Sequence, residues 1–268
     1  MSTKQRLFAP VLLILLSLLT LLSVPPVAAQ NKPVTATHQN AHRLISLAPH
    51  LAQLAHAAGA GRYLVGVSEY TTPADAGTLP VVGNAYAVNW QRIAQLKPTL
   101  VLVWGSGTPA TVKAKLKSLG IATFESEPTT LADIVQEAQR LAARVGEPPD
   151  NVALLHLKQQ FEQLNSSYKD GQNAGYKTAQ ALAVFHPIWP RPLMTVNGAH
   201  VISDALRYCG ARNVFANTKG LTPTVTLQQV LREKPAAIVI AQSASEPSLH
   251  TQWTGLIKAF PAARAPAV

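Results

Sequence analysis

The segment 99–104, TLVLVW, restricts this chain more than any other part of it. No polar residue interrupts Leu100 to Trp104, and Pro98 stands immediately before the run. It is too short for a core helix and too apolar for a half-exposed strand. It therefore reads as a strand covered on both faces, as in a parallel sheet. Parallel neighbours can be joined only through a crossover, usually a helix, and the flanking segments supply them. Asn89 can cap a helix through Leu96, which Pro98 stops, and residues 108–119 have helical spacing up to Gly120. Further strands are expected at 43–47, 63–67 and 121–124, and further helices at 51–58 and 131–144. Helices and strands alternating at these lengths define an α/β fold.

The second half repeats the first. Lys97-Pro98 ends one helix and opens the TLVLV strand; Lys234-Pro235 ends another, at 227–233, and opens AAIVI. A short helix closes at Gly59 in one half and at Gly210, after 199–209, in the other. A strand at 180–185 precedes that second helix. Between the halves, Asp150 can cap a long helix to about Tyr168, and Asp170-Gly171-Gln172-Asn173-Ala174-Gly175 reads as a break after it. The expectation is two Rossmann-like lobes joined by one long helix, with a ligand cleft between them. The expected division is a signal peptide at 1–29, a leader at 30–42, an N-terminal lobe at 43–147, the bridging helix at 148–170 and a C-terminal lobe at 171–268.

The first thirty residues point to export. Lys4 and Arg6 precede an apolar run at 11–22, and Val27-Ala28-Ala29 supplies the small residues of a cleavage site. A membrane anchor is the competing interpretation, because residues 7–24 approach spanning length; Pro25-Pro26 and the cleavage site favour removal. Without Lys4 and Arg6 the formal charge falls from +10 to +8. The basic residues are dispersed, and Lys113, Lys115 and Lys117 cannot share one helical stripe, so they read as a solvated face and no nucleic acid is expected. Cys209 stands alone in an oxidising compartment, inside an apolar helix end that suits a structural thiol.

Gly105-Ser106-Gly107-Thr108-Pro109-Ala110 fits the dinucleotide pattern G-x-G-x-x-A, with Glu125 placed to hold a ribose hydroxyl. A dinucleotide-dependent enzyme is thus one alternative, although export removes the chain from that cofactor pool. The eight histidines show no metal-ligand spacing outside the leader and no carboxylate cluster accompanies them, so no bound metal is expected. His50 and His186 follow strands, which leaves axial contact to a haem or corrin metal open. No nucleophile set stands out, so no catalytic residue and no enzymatic cofactor are expected. Tyr70, Tyr86, Trp104 and Trp189 lie at strand ends, where flat apolar surface suits a macrocycle. Trp104 and Trp189 can equally be core residues.

With these residues in view, the chain resembles the vitamin B12 and siderophore periplasmic binding proteins. The resemblance is carried by Arg43 to Gly59, Leu64 to Tyr70, Leu79 to Gly83 and Asn89 to Trp104. Pro192 to Gly198, Ser203, Cys209-Gly210 and Asn213 to Phe215 are similar to the cobalamin-binding branch. It implies a cobalamin or related corrinoid held in the cleft, with Tyr70 at the family's cleft tyrosine and Trp189 in the region of a second-lobe aromatic; Pro49, His50, Tyr86, Trp104 and Gly105 are the further candidate contacts. It also implies an ABC importer permease as partner, no chemistry on the ligand, and a monomer. Haem or a ferric siderophore is the alternative ligand. Ala85 and Thr222 stand where the family has cleft tryptophans. Gln91 and Gln228 stand where it has the glutamates that dock the importer. The family also has a further strand and helix, with a cysteine that would pair with Cys209, so the C-terminal lobe is expected to be incomplete at Val268.

Overall fold

The computed structural model describes residues 42–84, 87–173 and 181–240. The segment expected to be a signal peptide, most of the expected leader, Tyr86, part of the 170–175 segment and the chain after Ile240 therefore lie outside the described residues.

The strand at Leu100–Trp104 is flanked as its composition requires. β1 (Leu44–Ser46), β2 (Leu64–Gly66), β3 (Leu100–Trp104) and β4 (Thr123–Ser126) form a parallel sheet in the order β2-β1-β3-β4. Leu100 and Leu102 face one cluster, with Leu51, Ala55, Leu141 and Leu154; Val101 and Val103 face a second, with Ile93, Val112 and Leu116. Both faces of the strand are thus buried, which removes any need for polar alternation. The first cluster is closed by α1 (Pro49–Ala57) and by a longer helix described below. A short α2 (Pro73–Ala76), capped by Thr72 and not foreseen, follows β2. The second cluster is closed by α3 (Trp90–Leu96) and α4 (Ala110–Ser118). The longer helix is α5 (Leu131–Arg144), whose start is fixed by a capping box between Thr130 and Asp133.

The bridging helix, α6 (Val152–Asn173), corrects two expectations. Its cap is Asn151, not Asp150: the Asn151 Oδ1 accepts from the Leu154 amide at 3.0 Å, and its Nδ2 donates to the Ala58 carbonyl at 3.2 Å. And residues 170–173, expected to be a break, continue the helix, because Gly171 inside a long helix costs only about 1 kcal/mol.

Beyond α6, β5 (Leu182–Phe185), β8 (Ala211–Asn213) and β9 (Ala237–Ile238) form a second parallel sheet in the order β8-β5-β9. Between β5 and β8 lie an antiparallel hairpin, β6 (Pro187–Pro190) with β7 (Leu193–Thr195), and α7 (Val201–Tyr208); α8 (Leu227–Glu233) precedes β9. The hairpin was not foreseen, since its three prolines obscure a strand pattern. Phe185, Phe215, Val230 and Ile238 pack on one face of this sheet and Val184, Leu206 and Ala237 on the other. The internal echo extends to the backbone. Lys97 and Lys234 both close their helices in the left-handed region, at φ 46° and φ 48°.

Candidate functional site

In an open parallel sheet, ligands approach where strands end and helices begin. Pro49 and His50 open α1 directly after β1. Trp104 ends β3 and leads into Gly105, while Glu127 follows β4. These three ends meet. The His50 ring stands edge-on to Trp104, with centroids 5.2 Å apart and planes at 84°. The Trp104 indole N–H donates to Glu127 Oε1 at 3.3 Å, and the Ser106 hydroxyl donates to the same oxygen at 3.1 Å. The Ser106 amide donates to the other oxygen. Glu127 is anchored in turn, because its own amide donates to Glu137 Oε1 at 3.0 Å and the adjacent Ser126 hydroxyl donates to Glu137 as well. The buried Glu137 side chain projects from α5.

This arrangement overturns the dinucleotide alternative. A pyrophosphate needs the free amides of its glycine turn, but the Ser106 amide is occupied by a carboxylate that would repel a phosphate. The glycines serve packing within the chain. A Cβ on Gly105 would lie 2.5 Å from Glu127 Oε2, and one on Gly107 would fall inside the Trp104 indole. Glu125, the expected ribose ligand, pairs with Lys113 at 3.4 Å. Lys113 also donates to the Gly105 carbonyl at 2.8 Å, so it reaches toward the turn and does not belong to a solvated lysine face.

The second lobe contributes two histidines. His186 follows β5, and its Nδ1 donates to the Val239 carbonyl at 2.8 Å, which leaves Nε2 as an acceptor. His200 caps α7 by accepting from the Ile202 amide through Nδ1 at 3.1 Å, which leaves an N–H on Nε2. Desolvation lowers the pKa of His50, His186 and His200 alike. Glu127 opposes that effect at both His50 and His200, so one carboxylate acts on an imidazole from each lobe. These rings are held neutral at neutral pH.

Of the expected ligand contacts, the structure brings Pro49, His50, Trp104 and Gly105 together. Tyr70 is 74 % exposed with φ 63°, and Trp189 is 55 % exposed with its indole N–H donating to the Arg191 carbonyl at 3.0 Å. Trp189 is thus no core residue; Trp104 is half-buried against the first-lobe core. Gln91 on α3 and Gln228 on α8 are exposed. Cys209 caps α7 and is exposed, which corrects its placement inside an apolar helix end. Glu127 and His200 were missed. The sequence selected Glu125 because β4 was placed at 121–124; the strand runs two residues later, and its end moves to the next acid.

Residues 44–262 match the family model described as periplasmic binding protein. The vitamin B12-binding protein of Vibrio parahaemolyticus is 32 % identical over 229 residues, covering 85 % of this chain and 81 % of that protein. The crystal structure of the periplasmic vitamin B12 binding protein of Vibrio cholerae superposes with a TM-score of 0.67 at 30 % identity, covering 82 % of this chain and 84 % of that one. A periplasmic haem-binding protein from Pseudomonas aeruginosa shares the fold, with a TM-score of 0.66 at 21 % identity over 81 % of this chain and 77 % of that one.

Proposed function

The chain belongs to the periplasmic binding protein family, and we propose that it captures cobalamin or a related corrinoid between its lobes. The observation that carries this reading is the paired floor of His50 and Trp104 at the strand ends. Glu127 closes the adjacent turn to phosphates, and the edge-on pair of His50 and Trp104 offers aromatic contact to a macrocycle. Pro49, His50, Trp104 and Gly105 form the first-lobe wall; Tyr70, Tyr86 and Trp189 are the aromatic contacts that complete it. The similarity to vitamin B12-binding relatives supports a corrin over a haem.

In this reading the ligand undergoes no chemistry, and Glu127 serves to fix the turn by accepting from Trp104 and Ser106. The protein is exported by a cleaved signal peptide at 1–29 and works as a monomer. It hands its ligand to an ABC importer permease through the surfaces bearing Gln91 and Gln228. These are neutral, so docking should depend little on ionic strength. The lobes divide as 43–147 and 171–268 about the helix at 148–170.

Titration calorimetry with cyanocobalamin, cobinamide and haemin tests the reading. We expect binding of at least one corrinoid, tighter than haemin. Heat from haemin alone would replace the corrinoid with haem.

A further inference from the structure

The described residues include six histidines whose ring nitrogens can be accounted for separately. His56 Nε2 contacts the Asp75 carbonyl at 3.1 Å, His186 is bonded to Val239, and His200 is bonded to Ile202. His42 leans on Tyr63, and His156 lies on the exposed side of α6. His50 differs from all of these. It stands at the strand ends where a ligand would enter, it is reachable from solvent although partly desolvated, and neither ring nitrogen has a hydrogen-bond partner among the described residues. Yet its ring is not loose. It stands edge-on to Trp104, whose indole is tied to Glu127 and whose amide donates to Thr108 Oγ1 at 3.0 Å.

An oriented neutral imidazole with a free lone pair is a metal ligand in waiting. Among the described residues no group of three or more histidines, cysteines or acids could hold a free metal ion. A corrin removes that requirement, since its macrocycle supplies four equatorial nitrogens and leaves only the axial positions to fill. The remaining cleft groups are poorer donors. Glu127 already accepts from Trp104 and Ser106, His200 presents an N–H, and His186, whose Nε2 also keeps a lone pair, is buried where His50 is exposed.

We infer that His50 supplies an axial nitrogen to the cobalt of the captured corrinoid, and that it thereby favours corrinoids lacking a lower base of their own. The inference rests on the corrinoid reading above. The step is a ligand exchange: a cobalt–nitrogen bond forms and a bound water leaves. Cobalt keeps its oxidation state, and no proton moves because the imidazole is already neutral. The Glu127 charge, felt at His50, stabilises the positive charge that coordination draws onto the ring.

Cobalt(II) cobinamide bound to the purified full chain tests this by electron paramagnetic resonance. One axial nitrogen splits each cobalt line into a triplet, and chain labelled with ¹⁵N-histidine should turn it into a doublet. His50→Ala should lose the splitting and bind cobinamide about tenfold or more weakly, in line with lost metal ligation. Its affinity for cyanocobalamin, whose axial positions are both filled, should change far less. His156→Ala should keep the splitting. Bound cobinamide without nitrogen splitting, or splitting that survives in His50→Ala, overturns the inference and leaves corrinoid capture standing. If wild type binds no corrinoid at all, the functional reading fails and the inference with it. A His50→Ala chain that does not fold is replaced by His50→Gln, which must lose the splitting in the same way.

Discussion

The backbone N–H of Leu131, first residue of α5, donates across the lobes to Asp204 Oδ2 on α7 at 2.8 Å, while Asp204 Oδ1 holds Arg207 at 2.6 Å. A first-turn amide has no partner within its own helix, and a carboxylate there also meets the positive end of the helix dipole. Arg207 lies over the ring of Tyr168 on α6, 5.0 Å from its centroid, so one acid ties both lobes to the bridging helix. Asp204→Ala should lower unfolding stability by about 2–3 kcal/mol, because it leaves a charged partner and a backbone donor unmatched. Asp204→Asn should cost less. Urea denaturation measures both, and an alanine effect below about 0.5 kcal/mol would place the pair among ordinary surface contacts.

Asn151 and Asp150 offer a direct comparison at the start of α6. Asn151 caps the helix and bonds to Ala58, whereas Asp150 is exposed and caps nothing. Asn151→Ala should cost about 1 kcal/mol or more, and Asp150→Ala close to nothing. Thermal melts of the two variants should therefore separate by several degrees, with Asn151→Ala the lower.

The acidic limb of stability should follow three desolvated histidines. Desolvation lowers the pKa of His50, His186 and His200 in the folded chain. Above the ordinary histidine pKa of about 6.5, both folded and unfolded chains carry neutral rings, and these groups contribute nothing to the balance. As pH falls below that value the unfolded chain takes up protons first, so the folded state loses ground. Denaturation midpoints should drop from neutral pH toward pH 5. The double variant His50→Gln, His200→Gln should flatten that drop; an unchanged slope would assign it to carboxylates.

The fold was legible in the sequence wherever one residue type has one physical use. Leu100 to Val103 could only be a doubly covered strand, and Lys97-Pro98 and Lys234-Pro235 could only end helices; the structure has both. What escaped depended on contacts distant in the chain. Asn151 beats Asp150 as a cap because its amide also reaches Ala58, 93 residues away. The hairpin of Pro187–Pro190 with Leu193–Thr195 forms despite its prolines, which edge pairing tolerates. At the site, the positions of His50 and Trp104 at strand ends could be read directly, whereas Trp189 lies within a hairpin strand. The acid that organises them could not, since Glu125 and Glu127 differ only in the register of β4.

Gly107 decides what the glycine turn is for. If it served to admit a phosphate, enlarging it would block a ligand and leave the fold intact. In the structure an added Cβ meets the Trp104 ring, and φ at this position is not in the left-handed region, so the conflict is one of volume alone. Gly107→Ala should therefore displace the indole, cost about 1–3 kcal/mol as overpacking, and shift the tryptophan fluorescence. Because Trp104 also orients His50, corrinoid affinity should fall with it. NADH should bind neither wild type nor variant. Fluorescence enhancement of NADH by wild type, abolished in Gly107→Ala without loss of stability, would restore the phosphate role of this turn.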